Sequence, residues 1–95
     1  MAEAWSLCRS DGPHDWSLTN TSGKVARQVY VRFEGTVDGR RWWEGVVPAS
    51  GLARVARFQP DETVWIDVDR SDTVDQVSVR WKSGLCTKTW STEDP

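Results

Sequence analysis

Val25-Ala-Arg-Gln-Val-Tyr-Val-Arg-Phe33 places Val25, Val29, Val31 and Phe33 on one side of an extended chain, and Ala26, Gln28, Tyr30 and Arg32 on the other. Side chains two apart in a strand share a face, so the stretch predicts a strand with one face buried and one exposed. The same period returns twice downstream. Thr63 to Asp69 turns Val64, Ile66 and Val68 inward, and Thr63, Trp65, Asp67 and Asp69 outward. Asp75 to Lys82 turns Val77, Val79 and Trp81 inward, and Gln76, Ser78, Arg80 and Lys82 outward. Strands buried on one face belong to antiparallel sheets. Shorter strand candidates are Trp5–Cys8, Asp15–Asn20, Arg41–Val47, Leu52–Phe58 and Leu85–Trp90.

Turn residues separate these runs. Asp38-Gly39 is the strongest hairpin signal, joining a strand that ends near Val37 to one that starts near Arg40. Asn20-Thr-Ser-Gly23, Pro48-Ala-Ser-Gly51, Pro60-Asp-Glu62, Arg70-Ser-Asp-Thr73 and Lys82-Ser-Gly84 punctuate the rest. No long window carries helical period, although Pro48–Arg57 has room for one short turn. A strand about every 10–12 residues is the spacing of a sandwich or barrel. The expected fold is all-β, a two-sheet antiparallel sandwich of about seven to eight short strands. It fills one domain over residues 1–95. The tail Ser91–Pro95 reads as frayed by composition.

The net charge of −2 argues against nucleic acid as a partner, because such binding rests on Lys and Arg neutralising phosphates. The charges are segregated along the chain. Lys24, Arg27, Arg32, Arg40, Arg41, Arg54 and Arg57 face only Glu34, Asp38 and Glu44 within one stretch. Asp61, Glu62, Asp67, Asp69, Asp72 and Asp75 then surround Arg70 alone. A bipolar surface suits head-to-tail packing or a charged partner; the plainer reading is solvated faces that cancel within the fold. The opening Met-Ala-Glu-Ala-Trp5 has neither a basic stretch nor an apolar run. Cytoplasmic synthesis without a signal peptide, and no membrane span, is therefore the expectation. Cys8 and Cys86 are expected to be reduced and partly buried, with a bridge open to them if the end strands pair.

The stretch Trp16-Ser-Leu-Thr-Asn-Thr-Ser-Gly-Lys-Val-Ala26, followed by Val29-Tyr-Val31, resembles an early hairpin of bacterial and phage immunoglobulin-like (fibronectin III-like) domains. Pro60-Asp-Glu-Thr-Val-Trp-Ile66, Val77-Ser-Val-Arg-Trp81 and the Ser83-Gly84 turn resemble the last three strands of that fold. The resemblance spans residues 15–90 and implies an immunoglobulin-like sandwich, without the Cys…Trp…Cys spacing of antibody-type domains. It implies a fold and no activity. Such domains serve as adhesion, decoration or spacer modules on larger assemblies, phage heads and tails included.

Catalysis finds little to work with. The single histidine, His14, lies in the polar stretch Ser10–Asp15, and no serine sits in a G-x-S-x-G context. Asp67 and Asp69 share a strand face, but no pocket-forming insertion accompanies them. Asp69–Asp75 lacks the glycine turn of an EF-hand loop, and no Cys/His cluster suits zinc. No catalytic residue, cofactor or metal is expected.

Seven tryptophans are more than a core of this size needs. Trp16 and Trp81 point with apolar neighbours and belong inside; Trp5 and Trp90 are placed to cover the sandwich edge. Trp65 points outward, and consecutive Trp42 and Trp43 must point to opposite sides of a strand. The candidate partner-binding surface is Trp65, Trp43, Trp42, Tyr30, Arg41 and Trp90, with Arg32 and Arg80 nearby. Tryptophan and arginine dominate binding hot spots. The function expected is a non-enzymatic protein-interaction or structural module, such as a virion decoration or tail component, whose partner is another protein, copies of itself or a larger assembly. The alternatives are a carbohydrate-binding module that stacks sugars on surface tryptophans, and an intracellular inhibitor or immunity-type protein acting through residues 61–75.

Overall fold

A computed structural model of the chain describes residues 4–9, 15–47, 57–68 and 71–93. Its eight strands are β1 (Trp5–Arg9), β2 (Asp15–Asn20), β3 (Ala26–Val37), β4 (Arg40–Val46), β5 (Arg57–Phe58), β6 (Thr63–Asp67), β7 (Val74–Ser83) and β8 (Cys86–Glu93), with one 3-10 turn at Ser71–Thr73. Two antiparallel sheets pack together. The first has the order β1-β2-β6 and the second β4-β3-β7-β8, with β5 beside the start of β3. Of the segment Leu52–Phe58 read as a strand, only Arg57 and Phe58 lie among the described residues. His14, Asp69 and Arg70 lie outside them.

The Asp38-Gly39 hairpin forms as read, with φ of 51° and 77° at its two central residues. Positive φ at both is what a type I′ turn demands, and its twist matches the flanking strands. The alternation in β6 and β7 also holds, with Ile66, Val68, Val77, Val79 and Trp81 buried and Trp65 exposed.

The opening of β3 departs from simple alternation. Ala26 is fully buried and Val25 is 37% exposed, the reverse of the expectation. Arg27 pairs with Lys82 and Tyr30 with Arg80, so β3 spends three steps where β7 spends two. The extra residue is a β-bulge at Gln28, whose φ of 51° is left-handed. One added residue inverts the phase, so Ala26 faces in on one side of the bulge and Val29, Val31 and Phe33 on the other.

The core lies between the sheets. Trp5 stands edge-on to Phe58 at 5.1 Å and to Trp81 at 5.5 Å, and Trp16 packs on Phe33 at 5.7 Å. Trp5 is thus a central core residue and not the edge cover its position near the chain end suggested. Its buried indole N–H has no hydrogen-bond partner among the described residues. The end strands do not pair. Cys8 on β1 and Cys86 on β8 belong to different sheets and are free and exposed, where partial burial was expected. The Ser91–Glu93 stretch is the last part of β8, not a frayed tail.

Among the described residues one polar side chain lies within the core, Asn20. Its Nδ2 donates to the carbonyls of Lys24 at 2.7 Å, Phe58 at 3.2 Å and Gln59 at 3.3 Å. Its Oδ1 accepts from the Ser22 amide at 3.1 Å and the Ser22 hydroxyl at 2.7 Å. Its backbone joins the β5–β6 turn as well, donating to Glu62 O and accepting from Asp61 N.

Edge strands carry charge on their inward side. Arg9 of β1 pairs with buried Trp16 and holds its guanidinium over that ring at 4.6 Å. Glu44 of β4 pairs with Phe33, and Lys88 of β8 with Trp81. The inward residues of β6 are Val64 and Ile66.

Asn20→Ala removes both the donor and the acceptor and leaves three carbonyls underused. It should cost about 2–4 kcal/mol in denaturant unfolding. Asn20→Asp should cost no less at neutral pH, because a carboxylate cannot donate to those carbonyls. Equal stability of wild type and Asn20→Asp would refute the assignment.

Candidate functional site

The outward face of β4-β3-β7-β8 gathers most of the residues that could bind something. On β3 the outward side chains beyond the bulge are Tyr30, Arg32, Glu34 and Thr36. Register sets Gly45 beside Arg32, Trp43 beside Glu34 and Arg41 beside Thr36 on β4, and Arg80, Ser78 and Gln76 beside Tyr30, Arg32 and Glu34 on β7. Paired residues in adjacent strands point to the same side, so these side chains form one surface.

Its aromatic rings are held in place by cations. The Arg32 guanidinium lies over the Trp43 ring at 4.6 Å, and its Nε meets Glu34 Oε1 at 3.0 Å. The Arg80 guanidinium lies over Tyr30 at 5.4 Å. The Arg32–Glu34 ion pair is solvent-screened, with Arg32 42% exposed, and adds little stability of its own. It sets a carboxylate beside the guanidinium that stacks on Trp43. Trp43 remains 60% exposed.

Glycine makes room for this arrangement. A Cβ on Gly45 would fall within 1.9 Å of the Tyr30 hydroxyl oxygen, so the Tyr30 ring lies across Gly45. A glycine inside a strand pattern marks close approach, and that signal could have identified Gly45 from sequence. On the inward side, Trp42 lies against Gly35 in the same way and donates from Nε1 to Thr73 Oγ1 at 2.9 Å.

The six expected surface residues therefore divide. Trp43, Tyr30 and Arg41 share this outer face. Trp42 is half-buried and faces the core, as does Trp90, which pairs with buried Val79. Trp65 is 64% exposed, but it lies on the outer face of β1-β2-β6, in register with Ser17. The sandwich thus puts Trp43 and Trp65 on opposite outer surfaces, and they form no single patch. Arg32 and Arg80 belong to the site and not merely near it, as the direct stacking partners of its two rings.

Charge follows the sheets more closely than the chain. Arg27, Arg32, Arg41, Arg57, Arg80 and Lys82 all face outward from the larger sheet, against Glu34, Asp75 and Glu93. The acidic stretch spreads along the molecule. Asp61 and Glu62 precede β6, Asp67 ends it opposite Asp15, and Asp72 lies in the 3-10 turn. Among the described residues no group of three or more His, Cys, Asp or Glu side chains could hold a metal. Nor, among them, is any helix long and apolar enough to cross a membrane. No protein-family model, curated protein or solved structure matches the chain.

Trp43→Ala should change unfolding free energy by less than about 1 kcal/mol, since the ring lies on the surface. Trp42→Ala should cost about 3 kcal/mol or more, since its half-buried indole packs over Gly35 against the core. Denaturant unfolding of the two variants checks both. A large loss in Trp43→Ala would make that ring structural.

Proposed function

We propose that the chain is an immunoglobulin-like sandwich working as a non-enzymatic protein-binding module, and that the outer face of the larger sheet is its interface. The strand order supports the fold. If β1, β2 and β6 correspond to strands A, B and E, then β4, β3, β7 and β8 correspond to C′, C, F and G, the order of such sandwiches. The observation that carries the function is the stacking of Arg32 on Trp43 beside Arg80 on Tyr30. Rigid aromatics already ordered in the free protein lose little entropy on binding, and Trp, Tyr and Arg are the commonest hot-spot residues. With twice as many cations as carboxylates on that face, the partner surface that fits it is acidic.

A second reading has its own observation. Among the described residues no cation stacks over Trp65, and it shares its face with the Ser17 hydroxyl and the Asp67 carboxylate. An uncovered ring beside hydroxyl and carboxylate groups suits a sugar, whereas one face of Trp43 is already taken by a guanidinium. Quenching or a shift of tryptophan fluorescence by glycans, lost in Trp65→Ala, would favour that reading.

The protein-binding reading is tested by recovering the tagged chain from its source with its partners and measuring affinity for the partner recovered. Trp43→Ala and Arg32→Ala should each weaken the complex at least about tenfold, and added salt should weaken it further. Trp65→Ala should leave it unchanged. A chain recovered alone, or a complex indifferent to Trp43→Ala, would sink the interface.

A further inference from the structure

Arg57, Arg27 and Lys82 are consecutive cross-strand partners over β5, β3 and β7. Three cations thus stand side by side on one face, with Cβ spacings of about 4.5–5.5 Å expected for paired strands. Like charges directly opposite are destabilising, and sheets avoid them. Among the described residues no ion pair relieves these three. They line a pocket of about 330 Å³ with Gln28, Gly84 and Leu85, and among the described residues no carboxylate lines it.

The pocket is shaped by the β3 bulge. Gln28 takes the left-handed φ there, a conformation that costs a side-chain-bearing residue free energy and recurs where a strand is bent to serve a site. The bulge lets Arg27 and Gln28 both contribute to the same pocket. The Arg27 guanidinium donates to the Gly84 carbonyl, which ties it to the β7–β8 turn and fixes its direction. Leu85, at the tip of that turn, is fully exposed at the rim.

From this we infer an oxyanion site whose ligand is a phosphate group, held by Arg27, Arg57 and Lys82. Two guanidinium groups offer paired donors to tetrahedral oxygens, and the ammonium adds a third charge. The phosphate is either free in solution or the headgroup of an anionic lipid. Leu85 beside the cations is the arrangement a headgroup would meet with its apolar neighbour. The site lies on the proposed protein-binding face but does not depend on that reading, since Trp43 and Arg32 take no part in it.

Wild-type protein is titrated with inorganic pyrophosphate at constant ionic strength while amide NMR shifts are followed. Shifts confined to residues 27, 28, 57, 82, 84 and 85 are expected, with a rise in melting temperature. Arg27→Ala and Lys82→Ala both relieve repulsion, and Lys82→Ala, which gives up no hydrogen bond, should fold at least as stably as wild type without ligand. Both should lose the pyrophosphate-dependent rise and bind at least about tenfold more weakly. Arg41→Gln, on the same face but outside the row, should respond as wild type does. A parallel arm measures co-sedimentation with phosphatidylglycerol and phosphatidylcholine vesicles. Recruitment to phosphatidylglycerol alone, lost in Leu85→Ser and in Arg27→Ala, assigns the phosphate to a headgroup. Pyrophosphate binding without recruitment assigns it to a soluble molecule. No localised shift and no recruitment, or an equal response from Arg27→Ala, would overturn the site.

Discussion

Asn20 sits at the end of β2 with its amide turned into the core, and the segments 22–24 and 58–62, which join the two sheets, are arranged around satisfying it. A buried amide without partners costs several kilocalories per mole, so its position is affordable only if both ends are bonded. Its donors reach the chain entering β3 and the chain leaving β5, while its backbone reaches the turn into β6. One residue of the smaller sheet thereby fixes where the larger sheet begins. Apolar packing would tolerate some sliding of one sheet over the other; directed hydrogen bonds to three separate carbonyls do not. The Trp5, Phe58 and Trp81 rings pack beside this point, so the hydrogen bonds and the aromatic cluster specify the same end of the sandwich.

Much of this was legible from residues alone. Alternation placed Trp65 outside and Trp81 inside, and it required Trp42 and Trp43 to part. Asp38-Gly39 marked its hairpin because both residues tolerate the positive φ of a type I′ turn, whose twist fits the strands. What failed, failed for local reasons that a period of two cannot express. The Val25–Phe33 run is continuous in sequence, but a bulge at Gln28 resets its phase, and nothing in a polar Gln announces a left-handed backbone. Trp5 looked peripheral because it is near the chain start. Its register opposite Asn20 puts it at the centre of the aromatic cluster.

The candidate site was legible residue by residue but not as a surface. Exposure follows from a strand's own pattern, whereas company follows from strand order, which is a long-range property. Trp43 and Trp65 are both exposed and both flanked by charge, yet β4 and β6 belong to different sheets. The row Arg57, Arg27, Lys82 is drawn from three segments far apart in the chain, and only the β5-β3-β7 adjacency aligns it. Charge counted along the chain showed a basic half and an acidic half. In the fold it becomes a basic sheet face and acids strung along the length of β6 and beyond.

The inward charges of the edge strands have a consequence for how the molecule behaves in company. A strand end-on to solvent will accept another strand unless something makes the union costly, and a charge aimed at the interior does so because pairing would bury it. Arg9, Glu44 and Lys88 place that obstacle on β1, β4 and β8. On β6, whose residues are Thr-Val-Trp-Ile-Asp, the inward positions are β-branched and apolar, the composition that stacks readily into intermolecular sheets. Of the strands β1, β4, β6 and β8 that end the two sheet orders, three therefore carry an inward charge and β6 carries none. Of those four edges β6 is the one whose open backbone is flanked on its inward side by apolar residues alone.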